Sequence, residues 1–352
     1  MKIALISPLP PPEGGIATWT KEAENFFLNN SIQFEIIDNA VVGKRKEKIT
    51  STTRFKDEII RTVSIIKNLK QTISSFKPDI LHINTSCGRL GIYRDYLCMI
   101  FARASHIPCV LHCHCNVADQ LHDSIAESVF KRMVKMSATV FVLNRSTSDY
   151  VEHKTSITPV LMPNFIEIDK NKPVHRVIKE KMQEILFVGH IQKTKGCFEI
   201  VETAIRFPNL HFTLVGPVGT EFSQLKLPPN VSTVGKKKHD DVKRYMDDAD
   251  AFIFPSYTEG FSNALLEAMY SGLPVIASDV GANRDMIEDK GGIIVPVKNV
   301  EKIAEALDFL SAAEIRRKMS GWNINKVERS YSKERVMGKI ADIYTEILTK
   351  PN

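Results

Sequence analysis

The feature that most constrains this chain is an alternation of short, almost wholly apolar runs with longer stretches of helical spacing. In the first half the runs are Lys2 to Ser7, Phe34 to Ile37, Ile80 to Asn84, Cys109 to His114 and Thr139 to Leu143. Between them, segments such as Phe55 to Ser75 and Ile125 to Met136 place apolar residues at helical intervals. A strand covered on both faces is apolar at successive positions, and helices between such strands supply the crossovers of a parallel sheet. The first half is therefore predicted to be a doubly wound α/β domain, residues 1–165. After Pro163 and Asn164, which marks the hinge entry, the chain turns polar and charged, a linker over 166–182. The alternation then resumes at Glu184 to Val188, Phe212 to Val215, Ala251 to Phe254, Val275 to Ala277 and Gly292 to Val295, giving a second doubly wound domain over 183–332. A last helix, Lys333 to Thr349, has no strand after it. Ligands in such sheets sit beyond the carboxyl ends of the strands, so two such domains are expected to face each other across a central cleft.

The 352 residues suit two domains of roughly 150 residues each. A net charge of +6 suits phosphorylated ligands or an anionic surface, but the dense basic blocks of a nucleic-acid binder are missing. The first dozen residues lack the pattern of a secretory leader, and no uncharged apolar run approaches the ~18 residues of a membrane span, so a cytoplasmic location is expected. The six cysteines, Cys87, Cys98, Cys109, Cys113, Cys115 and Cys197, have no framework spacing and read as reduced thiols. In His112-Cys113-His114-Cys115 alternate side chains leave opposite faces of a strand, so the four diverge and no metal is expected there. Neither a G-x-x-x-x-G-K-[ST] loop nor a G-x-G-x-x-G fingerprint is present.

The chemistry concentrates after the run ending at Phe254, in Pro255-Ser256-Tyr257-Thr258-Glu259-Gly260-Phe261-Ser262-Asn263-Ala264-Leu265-Leu266-Glu267. This reads as strand, glycine-bearing loop and helix. The first amides of such a helix, at Phe261, Ser262, Asn263 and Ala264, point outward at the positive end of its dipole, where a phosphate is stabilised. Glu259 on the loop and Glu267 about one turn into the helix suit hydroxyl-rich groups such as ribose and a sugar ring. Spacing alone equally allows Glu259 to favour the helix start and Glu267 to sit on a solvated face.

Glu259 and Glu267, with Gly260-Phe261 after the first and Ser271-Gly272-Leu273-Pro274-Val275 beyond, resemble the signature of the family 4 retaining glycosyltransferases, which have the GT-B fold. The resemblance extends to Phe187-Val188-Gly189-His190, Lys195-Gly196, Met162-Pro163-Asn164-Phe165 and Gly291-Gly292-Ile293-Ile294-Val295-Pro296. It implies transfer of a sugar from a UDP- or GDP-linked donor with retention and without a metal, and a terminal helix over 333–352 that returns to the first domain. Glu259 would hold the donor sugar, Glu267 the ribose, the loop amides of Phe261 to Ala264 the diphosphate and sugar, and Lys195 the leaving phosphate, with Gly260 and His190 also on the donor side. His190 stands where the family usually has arginine, and it offers fewer donors than that fixed fork. Asp285 stands where a glutamate is common and is left out of the expected site.

In the first domain Gly14 and Gly15 match a glycine loop that lets the ligand approach the backbone, although such a pair after three prolines is also ordinary turn punctuation. His114 matches a histidine near the reacting sugar, with His112 on the same strand face as its rival. The implied acceptor is a glycan or a lipid-linked glycan of capsule, exopolysaccharide or cell-surface antigen assembly. Residues 125–136 mix cations with bulky apolar side chains, as in helices that lie on anionic membranes and, the commoner case, in helices that face a core. A nucleotide-sugar epimerase and a catalytically silent partner in polysaccharide assembly are the alternatives.

Overall fold

The computed structural model describes residues 1–11, 14–40, 51–88, 90–121, 123–168 and 175–350. Pro12 and Glu13 before the glycine pair and residues 169–174 of the expected linker lie outside the described residues. The chain divides into two compact units, one of Met1–Asn164 with Val336–Asn352 and one of Phe165–Arg335.

The first unit is built on a six-stranded parallel sheet in the order β2-β1-β3-β4-β5-β6. Its strands are β1 Lys2–Ser7, β2 Gln33–Asp38, β3 Ile80–Thr85, β4 Cys109–Cys113, β5 Thr139–Val142 and β6 Val160–Leu161. Between them run α1 Gly15–Asn29, α2 Ser51–Ser75, α3 Gly91–Ala104, α4 Ser124–Met136 and α5 Arg145–Thr155. All residues of β3 and β4 are buried, which explains their apolar continuity, whereas the edge strand β2 is exposed at both ends. Caps fix where helices begin: Asp123 accepts from the Ala126 amide at 2.7 Å and Asn144 from Thr147 at 2.8 Å.

In α4 the residues Ala126, Phe130, Met133 and Val134 are buried in the core, and Lys131 is paired with Glu127 at 2.7 Å. The apolar face of residues 125–136 is therefore used by the fold, and only Ile125 remains as a large exposed apolar side chain there. This is the core-facing reading of that segment.

The second unit repeats the plan with the order β12-β11-β10-β7-β8-β9. Its strands are β7 Glu184–Val188, β8 His211–Val215, β9 Val231–Thr233, β10 Ala251–Phe254, β11 Val275–Ser278 and β12 Gly292–Val295. Its helices are α6 Cys197–Arg206, α7 His239–Asp248, α8 Asn263–Tyr270, α9 Asn283–Ile287, α10 Val300–Leu310 and α11 Ala313–Ser330. Every strand pairing in both units is parallel. The expectation of two doubly wound sheets is borne out. Past residue 174 the Arg176 guanidinium donates to the carbonyls of Met246 at 3.0 Å, Ser271 at 2.9 Å and Ala249, anchoring the chain to this unit. No helix of the described residues is long and apolar enough to cross a membrane.

The last helix, α12 Lys333–Thr349, carries Met337, Ile340 and Tyr344, all fully buried in the first unit. The Tyr344 hydroxyl bonds Nδ1 of the buried His82 at 2.5 Å, and the His82 ring packs on those of Trp19 and His112. Burial holds His82 down to about 3 against a hydrogen bond to Asn84 that raises it; burial aided by the neighbouring histidines holds His114 down to about 3 and His112 well below its usual value.

Two outcomes are expected from this cluster. Tyr344→Phe leaves a ring nitrogen of His82 unpaired in the core and should cost about 1–3 kcal/mol in urea unfolding. The histidines stay neutral in the folded chain but take up protons near pH 6.5 when unfolded, so the stability they confer is full above that pH. It should fall from about pH 6.5 towards pH 3, with each ring contributing up to ~1.4 kcal/mol per pH unit. A urea midpoint that is the same at pH 7.5 and pH 5.5 would contradict this.

Candidate active site

In the second unit β7 is the first strand in the chain; β8 and β9 extend the sheet on one side of it, and β10, β11 and β12 on the other. The strand order reverses between β7 and β10, and crevices for ligands open at such a reversal, beyond the carboxyl ends of the strands. The loops that follow these two strands carry Lys195 and Glu259.

Lys195 ends a short 3-10 turn, Lys193–Lys195, and Gly196 follows with φ +71° before α6 begins. A Cβ on Gly196 would lie 2.1 Å from the Pro255 carbonyl oxygen, so only glycine lets the two loops come this close. The Thr194 carbonyl accepts from the Tyr257 amide at 2.9 Å, and the Lys195 ammonium reaches Oε1 of Glu259 at 2.5 Å. The Glu259 side chain is 11% exposed and that of Lys195 25%, so the pair is partly shielded yet open to a ligand. Lys195 also lies 5.9 Å from the centre of the Phe254 ring.

A third loop closes on the same place. A Cβ on Gly281 would lie 2.3 Å from the Glu259 carbonyl oxygen, and the Ala282 amide donates to the Gly260 carbonyl at 3.1 Å. The Ser278 hydroxyl donates to the Ser256 carbonyl, tying the end of β11 to the loop after β10.

Helix α8 starts where the sequence places it. Ser262 is its cap, accepting from the Leu265 amide at 3.2 Å, and Asn263 and Ala264 form the first turn. The Phe261 ring meets Tyr331 edge-on at 5.7 Å, which turns this side chain towards protein and leaves its backbone to define the helix entrance. Glu267 is half-buried one turn on. Burial raises its carboxyl above the usual range, and the nearby His239 partly offsets this. His190 is exposed on the loop after β7.

The remaining expected residues belong to the first unit. Gly14 caps α1 in an extended conformation, and Gly15 is the first residue of the helix rather than part of the loop. A Cβ on Gly14 would meet nothing within 4 Å, so its own protein does not require the absent side chain. His114 lies one residue beyond β4, and its amide continues the sheet by donating to the Thr85 carbonyl at 2.8 Å. Trp19 of α1 packs edge-on against His114 at 5.2 Å, so the helix that begins at the glycine pair braces this histidine. His112 and His114 share one face, with ring centres 4.0 Å apart, while the buried thiols of Cys113 and Cys115 turn to Cys87 on the other. Among the described residues no group of three or more His, Cys, Asp or Glu is placed to hold a metal.

Sequence reasoning passed over Gly281, Trp19 and the contact between Tyr257 and Glu199, whose hydroxyl and carboxylate are 2.6 Å apart. The φ of +54° at Gly281 has a signal in Val280-Gly281-Ala282, but neither aromatic residue has a partner identifiable from spacing.

Residues 168–327 match the model of the family described as glycosyl transferases group 1. The chain is 23% identical over 337 residues to the UDP-Gal:alpha-D-GlcNAc-diphosphoundecaprenol alpha-1,3-galactosyltransferase of Escherichia coli, with 84% of each chain covered. It is 27% identical over 215 residues to the capsular polysaccharide biosynthesis glycosyltransferase CapM of Staphylococcus aureus, covering 56% of this chain and 57% of that protein. Among solved structures, a sucrose-phosphate synthase from Thermosynechococcus elongatus superimposes with a TM-score of 0.81 at 17% identity, covering 98% of both chains; this likeness concerns the fold.

Gly281→Ala is expected to unfold at lower urea, with a loss of about 1–3 kcal/mol, because the added carbon meets backbone and the residue keeps a left-handed conformation. An unchanged midpoint would mean that the Glu259 loop does not lie against Gly281.

Proposed function

We infer that this chain is a group 1 glycosyltransferase that moves a sugar from a nucleoside-diphosphate sugar to a glycan carried on a lipid diphosphate, in the assembly of a surface polysaccharide. The observation that carries the reading is the Lys195–Glu259 pair at the strand-order reversal, beside the capped start of α8. A cation, a carboxylate and a helix N-terminus within one loop cluster are what a sugar diphosphate requires: charge for the phosphates and an acceptor for sugar hydroxyls. The relatives from Escherichia coli and Staphylococcus aureus support the polysaccharide setting, and the former supports a lipid-linked acceptor. The epimerase alternative draws no support from them.

In this reading the second unit takes the donor. Amides of Gly260 to Ala264 face the diphosphate and sugar, Glu259 accepts from sugar hydroxyls and Glu267 from the ribose. When the bond between the anomeric carbon and the phosphate oxygen breaks, its electron pair passes to that oxygen. Lys195 stabilises the charge that builds there. Its ammonium and the helix dipole supply the compensation that a divalent ion gives in other phosphate sites, so we assign a metal-independent reaction. The acceptor hydroxyl attacks the face that the phosphate leaves and passes its proton to the departing phosphate oxygen, which retains the anomeric configuration. An inverted product would overturn this assignment.

The first unit takes the acceptor. His114, held neutral by burial, can exchange hydrogen bonds with a sugar hydroxyl without adding a cation there. Gly14 and Gly15 leave room for a ligand against the start of α1. In this reading the protein works at the cytoplasmic face of a membrane and is peripheral to it, which a nucleotide-sugar donor and a lipid-borne acceptor support.

UDP and GDP are the donor bases to compare first. At a hundredfold excess over its Kd, the correct nucleotide should stabilise the protein by about 2.7 kcal/mol in a thermal-shift assay. That shift should disappear in Glu267→Ala. If neither nucleotide shifts the wild type, the donor-site assignment fails.

A further inference from the structure

Lys195 has to be at one place when the phosphate leaves, yet it stands on an exposed turn; the neighbouring residues Gln192, Lys193 and Thr194 are all exposed. A long flexible side chain on such a turn needs its backbone fixed from outside. One residue supplies this on both sides of the lysine. Before Lys195, the Thr194 carbonyl accepts from the Tyr257 amide at 2.9 Å and from the Ser256 hydroxyl at 3.4 Å. After it, Glu199 in the first turn of α6 accepts from the Tyr257 hydroxyl through Oε1 at 2.6 Å. The chain from Thr194 to Glu199 is thus closed into a loop by Tyr257, with Lys195 and the left-handed Gly196 inside it.

The contact is suited to permanence. The other carboxylate oxygen of Glu199, Oε2, is buried and has no hydrogen-bond partner among the described residues, so the tyrosine bond is the side chain's main compensation for its burial. Burial and the Glu199 carboxylate together raise the Tyr257 phenol, which keeps it a donor at neutral pH. The Lys298 ammonium stands 4.8 Å from the centre of the Tyr257 ring, a cation–π contact that holds the ring from a third loop. Tyr257 is also two residues before Glu259, so the segment that fixes the cation also carries its carboxylate partner.

We propose that Tyr257 is a positioning residue that, through Thr194 and Glu199, holds Lys195 at the leaving phosphate. The proposal rests on the donor-site reading given above. It makes Tyr257 and Glu199 determinants of turnover although neither touches the donor, and it makes their contributions one contribution.

The test is steady-state kinetics on purified full-length variants, reading release of nucleoside diphosphate from the donor that the wild type uses. Tyr257→Phe keeps the ring and the backbone amide and removes the hydroxyl alone. It should lower kcat about tenfold, a typical effect of a small misplacement of a charge-stabilising group, while the donor KM changes less than about threefold. Glu199→Gln retains an oxygen for the hydroxyl and should stay near wild type, whereas Glu199→Ala should reproduce the Tyr257→Phe loss. The double variant, Tyr257→Phe with Glu199→Ala, should be no slower than either alone. In a Lys195→Ala background Tyr257→Phe should have no further effect on kcat. A Tyr257→Phe enzyme with wild-type kcat, or losses that multiply in the Lys195→Ala background, would overturn the positioning role. A lower melting temperature with unchanged kcat per folded molecule would assign Tyr257 to stability alone and likewise overturn it. A wild type that releases no nucleoside diphosphate from any nucleotide sugar would overturn the donor-site reading and this inference with it.

Discussion

The second unit depends on how closely the turn after β7 approaches the loop after β10. Two short contacts set that approach, the Gly196 α-carbon against the Pro255 carbonyl and the Thr194 carbonyl with the Tyr257 amide, and the Gly281 α-carbon against the Glu259 carbonyl brings the loop after β11 to the same place. Parallel pairing of β7 with β10 and of β10 with β11 brings the loop stems side by side. Glycine at two points then lets the backbones touch where a side chain would hold them apart. Without this approach Lys195 and Glu259 would be two charges on separate loops rather than a pair.

The alternation of apolar runs was enough to read both sheets because each central strand is buried on both faces. β7, β10 and β12 begin and end where the sequence places them. The strands that escaped notice are β6 and β9, two and three residues long. They lie at sheet edges, where half-buried residues such as Val160, Ser232 and Thr233 carry no apolar run. His114 was read as the last residue of its strand and lies just past it, although its amide still pairs with β3 through Thr85.

The candidate site was legible where chemistry and local structure coincide in sequence. Ser262 as a cap, the start of α8 and the two glutamates all fall in one continuous segment. What escaped was long-range: Tyr257 meets Glu199 across 58 positions and Tyr344 meets His82 across 262. No periodicity announces such pairs, because they depend on which loops the sheet order brings together. The sequence leaves two readings of residues 125–136 for a related reason. A helix with cations beside bulky apolar residues looks the same whether it packs on lipid or on its own sheet, and α4 packs on its sheet.

Helix α12 gives the two units different histories during synthesis. Phe165–Arg335 is one unbroken segment, whereas the first unit takes its last core residues, Met337, Ile340 and Tyr344, from the chain that follows it. A ribosome delivers the second unit whole before it delivers the side chain that pairs with His82. Domains fold as units while they emerge, so the second unit reaches its final packing first and the unit with the histidine cluster is completed last. The first sheet spends the intervening time with a gap at Tyr344, so the packing around His82 is completed only by the chain's last helix.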